Sequence, residues 1–283
     1  MRMSIRVFFA AIVIMNPLVS LGDIQSLKVT GTGVGSTATK SDVQAKLMSL
    51  RAARIDAQRK LLAKIEGVQI TGLTTVKDAM VENDLVATRI KGMLRGAFEV
   101  SSNAVKDGNY WEGRVEMAVC LTSDGAQCRN QTNLANIAKP FLPVTPKADL
   151  YSVQDIDAAT DKVDNNDNEK LPHTGLVIDT RKITMAPQLD IRIKTSKGKE
   201  LYGPGYVADG KDWLHWAASV EQAISSTKVI GSNPLIITEL KVNSANEIIL
   251  ANVAAARLFT ENLNAGDFLA EGKVIFVVSD NDL

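Results

Sequence analysis

Residues 41–67 read SDVQAKLMSLRAARIDAQRKLLAKIEG, and this stretch decides the fold of the first half of the chain. Ser41 and Gln44 stand three residues apart, the spacing of a capping box that begins a helix. The sequence that follows is rich in strong helix formers, and Gly67 is a residue that commonly ends helices. One long helix is therefore predicted. Its small side chains would let it lie close on a sheet (Ala45, Ala52, Ala53, Ala57 and Ala63).

Strand patterns surround this helix. Residues 26–34 alternate apolar and polar side chains, as a half-buried strand does, and residues 68–76 are predicted as a strand or an extended segment broken by a glycine. A second helix is predicted from Asn83 or Asp84 to about Leu94, before Gly96.

The dipeptide Asp107-Gly108 is a strong hairpin signal between two further strand patterns, residues 97–105 and 110–121. The predicted order of the first domain is thus β-α-β-α-β-β, with the sheet packed by the long helix.

Residues 140–171 have the composition of a linker. The stretch begins with closely spaced prolines, and acidic and amide residues dominate its end. Such a segment buries too little apolar surface to order itself. We therefore predict a first domain at 23–139 and a second at 172–283.

The second domain shows strand and helix patterns in alternation. Predicted strands lie at 175–179, 189–195, 200–202, 234–242, 247–250 and 273–279, and predicted helices at 213–225 and 253–262. A mixed sheet with two or three helices follows from this order, and the chain as a whole is assigned to the α+β class.

Residues 1–22 have the layout of a secretory signal peptide. Arg2 and Arg6 precede an apolar run, and Ser20 and Gly22 stand at the −3 and −1 positions of a cleavage site. No cysteine follows that site, so no lipid anchor is expected. Later apolar runs are too short to span a membrane. The expected product is a soluble periplasmic protein that begins at Asp23.

The charge balance argues against nucleic acid as a partner. Loss of Arg2 and Arg6 with the signal leaves 30 basic against 32 acidic residues, a formal charge of −2. A near-neutral chain has no field to draw it to a phosphate backbone.

The chain has two cysteines, Cys120 and Cys128. In an exported protein, an isolated pair this close is most simply one disulfide that closes a small loop. A catalytic dithiol is the alternative, but it usually needs the Cys-x-x-Cys spacing at a helix N-terminus.

No motif in the sequence supplies a recognisable catalytic, cofactor or metal site. The Gly31-x-Gly33-x-Gly35 run lacks the dinucleotide-binding spacing, and we interpret it as a backbone hinge at a strand exit. The acidic run from Asp164 lacks the glycine and the final carboxylate of a calcium loop. His173 and His215 stand far apart, without nearby ligands at metal spacing. We predict that the protein is not an enzyme and carries no cofactor or metal.

A ligand-binding surface is the alternative function. Trp213 and Trp216 of the predicted helix, with Tyr202 and Tyr206 on either side of a Gly-Pro-Gly turn, would form an aromatic platform for a sugar or another small ligand. Core packing by the two tryptophans is the competing interpretation.

The runs at residues 52–67, 74–76 and 90–98 resemble the family of 20-kDa bacterial surface lipoproteins, and they are similar to the N-terminal domain of the flagellar assembly protein T. The resemblance covers residues 26–122, although Asp23 stands where the lipoproteins carry their anchor cysteine. It implies a non-enzymatic role in flagellar or outer-membrane assembly, through contact with envelope or flagellar-type proteins. The second domain, with runs at 174–179 and 273–278, resembles a domain of uncharacterised envelope proteins.

Overall fold

The computed structural model describes residues 25–38, 41–124, 126–157, 171–183, 185 and 187–278. The predicted signal peptide and the acidic run at 164–169 lie outside these residues. The described part contains helices and several sheets, so the predicted α+β class is confirmed.

The first half forms a three-stranded antiparallel sheet with helices on one side. Its elements are β1 (Ser26–Ser36), α1 (Asp42–Glu66), α2 (Val76–Glu82), α3 (Asp84–Arg95), β2 (Phe98–Asp107), β3 (Tyr110–Cys120), α4 (Leu134–Ala138) and α5 (Val153–Asp157). Short 3₁₀ turns occur at Lys139–Phe141 and Lys147–Asp149. The strand order is β1-β3-β2, so β3 is central. The predicted hairpin joins β2 to β3, and Gly108 at its turn has φ 54°.

Helix α1 begins and ends where the sequence predicts. Both hydrogen bonds of the Ser41–Gln44 capping box form, and the Gly67 N–H bonds the carbonyl oxygen of Ala63. Its buried side chains recur every four residues and form one narrow stripe: Ala45, Ser49, Ala53, Ala57, Leu61 and Ile65. Most of this stripe is small, so the helix backbone approaches the sheet closely.

The glycines of β1 make that close approach possible. A Cβ atom on Gly31, Gly33 or Gly35 would overlap backbone atoms of α1. The run lies inside the strand, so its interpretation as a hinge at the strand exit is wrong. Glycine is required here because the helix fills the space of a side chain.

The predicted strand at 68–76 is also wrong. Gln69 makes only isolated bridges, to Thr75 and to Gln188. Thr75 instead caps α2, with reciprocal hydrogen bonds to Asp78. Because this capping box starts a helix at Val76, the segment is a tight loop, and the observed order is β-α-α-α-β-β.

The second half contains two four-stranded sheets where one mixed sheet was predicted. Its elements are β4 (Gly175–Asp179), β5 (Ile193–Thr195), β6 (Glu200–Tyr202), β7 (Trp216–Ala217), α6 (Val220–Ser225), α7 (Thr227–Ile230), β8 (Pro234–Ile237), β9 (Lys241–Val242), β10 (Ile248–Leu250), α8 (Asn252–Asn264) and β11 (Val274–Val277). A mixed sheet has the order β6-β5-β10-β9, and a parallel sheet has the order β7-β11-β4-β8.

The parallel sheet is covered on both faces. Leu176, Ile178 and Phe276 belong to the main core, whereas Val177 and Ile275 belong to a smaller cluster under α6 and α7. Successive side chains of a strand point to opposite faces, which explains why β4 is apolar from Leu176 to Ile178 and β11 is apolar throughout.

The predicted helix at 213–225 begins only at Val220, where Ser219 caps it. Residues 213–217 are all buried, and Trp216 pairs with Phe276 of β11. A segment enclosed on all sides has no polar face to turn outward, so the predicted amphipathic helix gives way to a strand here.

The stretch interpreted as a linker is partly folded. Leu142 and Tyr151 are buried, and the Tyr151 ring packs edge-on against Phe259 of α8 at 5.2 Å. Residues 140–157 thus cross the second half as a strap. One apolar core runs through both halves, from Leu27 to Val278.

Candidate functional site

Strand β2 is an open edge of the first sheet. None of its ten residues is buried, and eight are exposed. Its only ion pairs in the described residues run to α1, from Glu99 to Arg54 at 2.6 Å and from Lys106 to Asp42 at 2.7 Å. These contacts use side chains on the helix-covered face of the sheet. They leave the outer backbone of the strand accessible.

The opposite edge, on β1, is partly covered by side chains of α1. Lys60 donates to the Thr30 carbonyl oxygen at 3.0 Å, and the Asp56 carboxylate accepts the Thr32 N–H at 2.9 Å. Through these two side chains α1 satisfies backbone groups that would otherwise face outward. No side chain in the described part of the chain makes such a bond to β2. Strand β2 is therefore the edge that can accept another strand.

The face of the sheet opposite α1 carries exposed apolar side chains at its hairpin end. Val34 and Val105 flank Glu112 in register, and Tyr110 lies next along β3 on the same face. Val34, Val105 and Tyr110 are 64%, 59% and 55% exposed. An incoming strand at β2 would extend this surface.

The predicted disulfide joins Cys120 to Cys128. Its loop reaches the second half of the chain: Ser123 donates to Asp212, and both Asp124 carboxylate oxygens lie 2.8 Å from His215 Nδ1. No local pattern predicts this histidine–carboxylate pair, because its members are 91 residues apart. The pair fastens the disulfide loop to the start of β7.

A polar cavity of about 520 Å³ lies beside this pair. Ser225 and Ser226 line it, but both hydroxyls donate to the Gln222 carbonyl oxygen, at 2.8 and 3.0 Å. Neither serine is hydrogen-bonded to His215, so the arrangement lacks the nucleophile–base contact of a catalytic triad. The contacts around His215 are those of a clamp between the two halves.

The aromatic residues predicted as a ligand platform lie in the core. Trp213, Trp216 and Tyr202 are 1%, 5% and 0% exposed. Trp213 donates to the Leu189 carbonyl oxygen at 3.3 Å, and Tyr202 to that of Trp213 at 2.6 Å. Tyr206 is half-buried, and burial next to Asp267 raises its pKa to about 12. Three of the four rings therefore belong to the core, and Trp216 also borders the polar cavity.

Asp179 ends β4 at the carboxyl edge of the parallel sheet. Arg181 donates to both of its oxygens, at 2.8 Å each. These bonds, opposed by burial, hold the pKa of Asp179 below its ordinary value. Arg181 thus balances the negative charge of the Asp179 carboxylate.

The described residues offer neither a metal cluster nor a membrane-spanning helix. They contain no group of three or more His, Cys, Asp or Glu side chains placed to hold a metal ion. Among the same residues, no helix combines the length and apolarity needed to cross a bilayer.

One comparison with known proteins gives a match. Residues 175–280 match the model of a family described as the second domain of Treponema pallidum Tp0624. This range lies within the predicted second domain and corresponds to β4 through β11. No curated protein matches the chain. The comparisons add no support for the lipoprotein and flagellar resemblance of residues 26–122, which stays a prediction.

Proposed function

We propose that this protein acts by protein–protein contact in the bacterial envelope, without an enzymatic reaction of its own. Its contact site is the outer edge of β2, where an extended segment of a partner adds as a fourth strand. Backbone hydrogen bonds give such a contact its affinity, and the side chains of alternate residues give specificity.

The proposal rests on a difference between the two edges of the sheet. Asp56 and Lys60 each bond one backbone group of β1, whereas no described side chain bonds the backbone of β2 and eight of its ten residues are exposed. Natural proteins usually protect exposed edges, because an open edge pairs with other chains. Because β2 lacks even this partial cover, it is the edge that we propose a partner uses.

The envelope location is supported by the disulfide, since such bonds persist in oxidising compartments. A role in flagellar or outer-membrane assembly rests on the resemblance of residues 26–122 alone. The alternative, binding of a sugar or small ligand at the tryptophans, is opposed by the burial of their rings.

In-cell photo-crosslinking tests the contact site. Val115 and Val119 are unsuitable positions because they are buried in the central strand. A photoreactive residue at Asn103 in β2 should yield specific envelope proteins, identified by mass spectrometry. The matched control is Arg59, which is exposed on α1. Equal yields of the same proteins from both positions, or none from Asn103, would count against strand addition.

A further inference from the structure

The polar cavity beside His215 lies at the junction of the two halves. From the first half, the disulfide loop lines it with Ser123, Asp124 and Arg129. From the second half, residues 225–229, which run from the end of α6 into α7, line it as well. None of the resemblances or matches assigns this cavity a ligand. A molecule bound there would contact both halves at once.

The acidic residue of the lining is already engaged within the protein. It is Asp124, and both of its carboxylate oxygens lie 2.8 Å from His215 Nδ1. The three serines that line the cavity likewise donate to protein oxygens, those of the Asp212 side chain and the Gln222 carbonyl. These groups therefore hold the walls of the cavity together and leave the binding of a ligand to other side chains.

The polar side chains of the lining that lack a partner can all donate a hydrogen bond. Among the described residues, the side chains of Arg129 and Lys228 form no ion pair or hydrogen bond, and neither do the Gln25 amide and the Thr227 hydroxyl. Guanidinium and ammonium groups carry a full positive charge and only donate. The lining thus holds two unpaired positive charges, one from each half of the chain.

This balance of charge favours a phosphate group as the ligand. The planar fork of an arginine matches the oxygens of a phosphate, and a lysine pairs with the same group as a point charge. A phosphate monoester carries about −1.5 to −2 charges at neutral pH, whereas a carboxylate carries one. A phosphate can therefore pair with Arg129 and Lys228 together, which a single carboxylate does less well.

We propose that this cavity binds a phosphate group between Arg129 of the disulfide loop and Lys228 of α7, with Gln25 and Thr227 as further donors. The phosphate belongs either to a small soluble molecule or to the headgroup of a lipid, and both present the same chemistry to the cavity. Because the bound group joins the two halves, it stabilises the folded chain. This site is separate from the β2 edge, and its test does not depend on strand addition.

Titration of the purified full chain with inorganic phosphate, at constant ionic strength, tests the site. Calorimetry should show saturable binding of one phosphate per protein, and the melting temperature should rise with the phosphate concentration. Arg129→Gln and Lys228→Gln should each weaken binding about tenfold or more, because each removes a charge-assisted hydrogen bond. Both residues are exposed, so each variant should melt at the wild-type temperature when phosphate is absent.

Arg59→Gln and Lys77→Gln are the matched controls, since they remove exposed cations that do not line the cavity. They should leave the affinity for phosphate unchanged. Acetate, with its single charge, should compete more weakly than phosphate. Absence of saturable phosphate binding, acetate that competes as well as phosphate, or equal effects of the cavity and control variants would overturn the proposal.

Two further probes separate the sources of the phosphate. Glycerol phosphate carries a free monoester, and vesicles of phosphatidylcholine with phosphatidic acid carry the same group on a lipid. Binding of glycerol phosphate without co-sedimentation assigns the site to a soluble ligand. Co-sedimentation that Arg129→Gln lowers, together with binding of free phosphate, assigns it to a lipid headgroup. Co-sedimentation without any binding of free phosphate would contradict a phosphate site in this cavity.

Discussion

Gly113 in β3 and Ser49 in α1 meet backbone to backbone. A Cβ atom on residue 113 would stand 2.6 Å from the Ser49 carbonyl carbon, far inside van der Waals contact. Ser49 turns its hydroxyl back to the Lys46 carbonyl oxygen at 2.8 Å, so no polar group is left unbonded at this contact. Because Gly113 has no side chain, α1 and the sheet that contains β2 can lie this close together.

Gly113→Ala should therefore destabilise the protein. The methyl group would force α1 away from the sheet, at a cost of about 1–3 kcal/mol or more in the free energy of unfolding. Gly92→Ala is the control: nothing lies near a Cβ there, and alanine in a helix should add up to about 1 kcal/mol. Denaturant unfolding measures both, and equal effects would contradict the close packing.

Replacement of Cys120 and Cys128 by serine should cost about 2–3 kcal/mol, because the short loop gains freedom in the unfolded chain. The same variant should loosen the contact between Asp124 and His215, which the loop presents. Unfolding curves measure the first effect, and the NMR signals of the His215 ring measure the second. Unchanged ring signals would show that the loop does not position Asp124.

Arg192→Met should be among the most destabilising single changes. The guanidinium is 6% exposed and bonds both Asp190 and Glu200 at 2.8 Å, so its loss leaves two buried carboxylates unpaired. The expected loss is about 3–5 kcal/mol. Lys211→Met, which breaks a half-exposed pair with Glu271, should cost less than about 1 kcal/mol. Similar losses in thermal unfolding would contradict this difference.

Acid should weaken the protein partly through Asp179. Its folded-state pKa is lowered by the hydrogen bonds from Arg181. The ionised form thus adds stability above the ordinary carboxyl pKa near 4, and this stability is lost as the pH falls through the lower folded value. Asp179→Asn should cost about 1–3 kcal/mol at neutral pH and less in acid. An equal cost at every pH, in urea unfolding, would contradict this linkage.

Local signals in the sequence were sufficient for some elements. Helix α1 was predicted to its ends because Ser41, Gln44 and Gly67 act on neighbouring backbone. The hairpin was predicted because Asp107-Gly108 determines a turn by itself. The disulfide followed from the spacing of the only two cysteines.

Other features depend on distant residues and could not be predicted locally. The segment at 68–76 lacks a strand partner, and residues 216–217 form a strand because β11 pairs with them. The hairpin signal predicts that β2 pairs with β3. It does not predict that β1 pairs with the other side of β3, which leaves β2 at the edge of the sheet. A glycine at every second strand position, opposite an alanine stripe on a helix, was the signal that could have predicted the close contact.

A proline scan through residues 101–104 tests strand addition most directly. Successive residues of a strand direct their N–H groups alternately toward β3 and toward the open edge, and proline removes that group. Each variant is compared with the wild type for thermal stability and for partner capture by a crosslinker placed at Lys106. The account predicts that the two effects alternate along the strand. Prolines at positions whose N–H faces the open edge should leave stability unchanged and abolish capture. Prolines at positions whose N–H bonds β3 should lower stability but keep the N–H groups that face the partner. Capture that is unaffected by the outward-facing positions, or that falls only in step with stability, would contradict a fourth strand on β2.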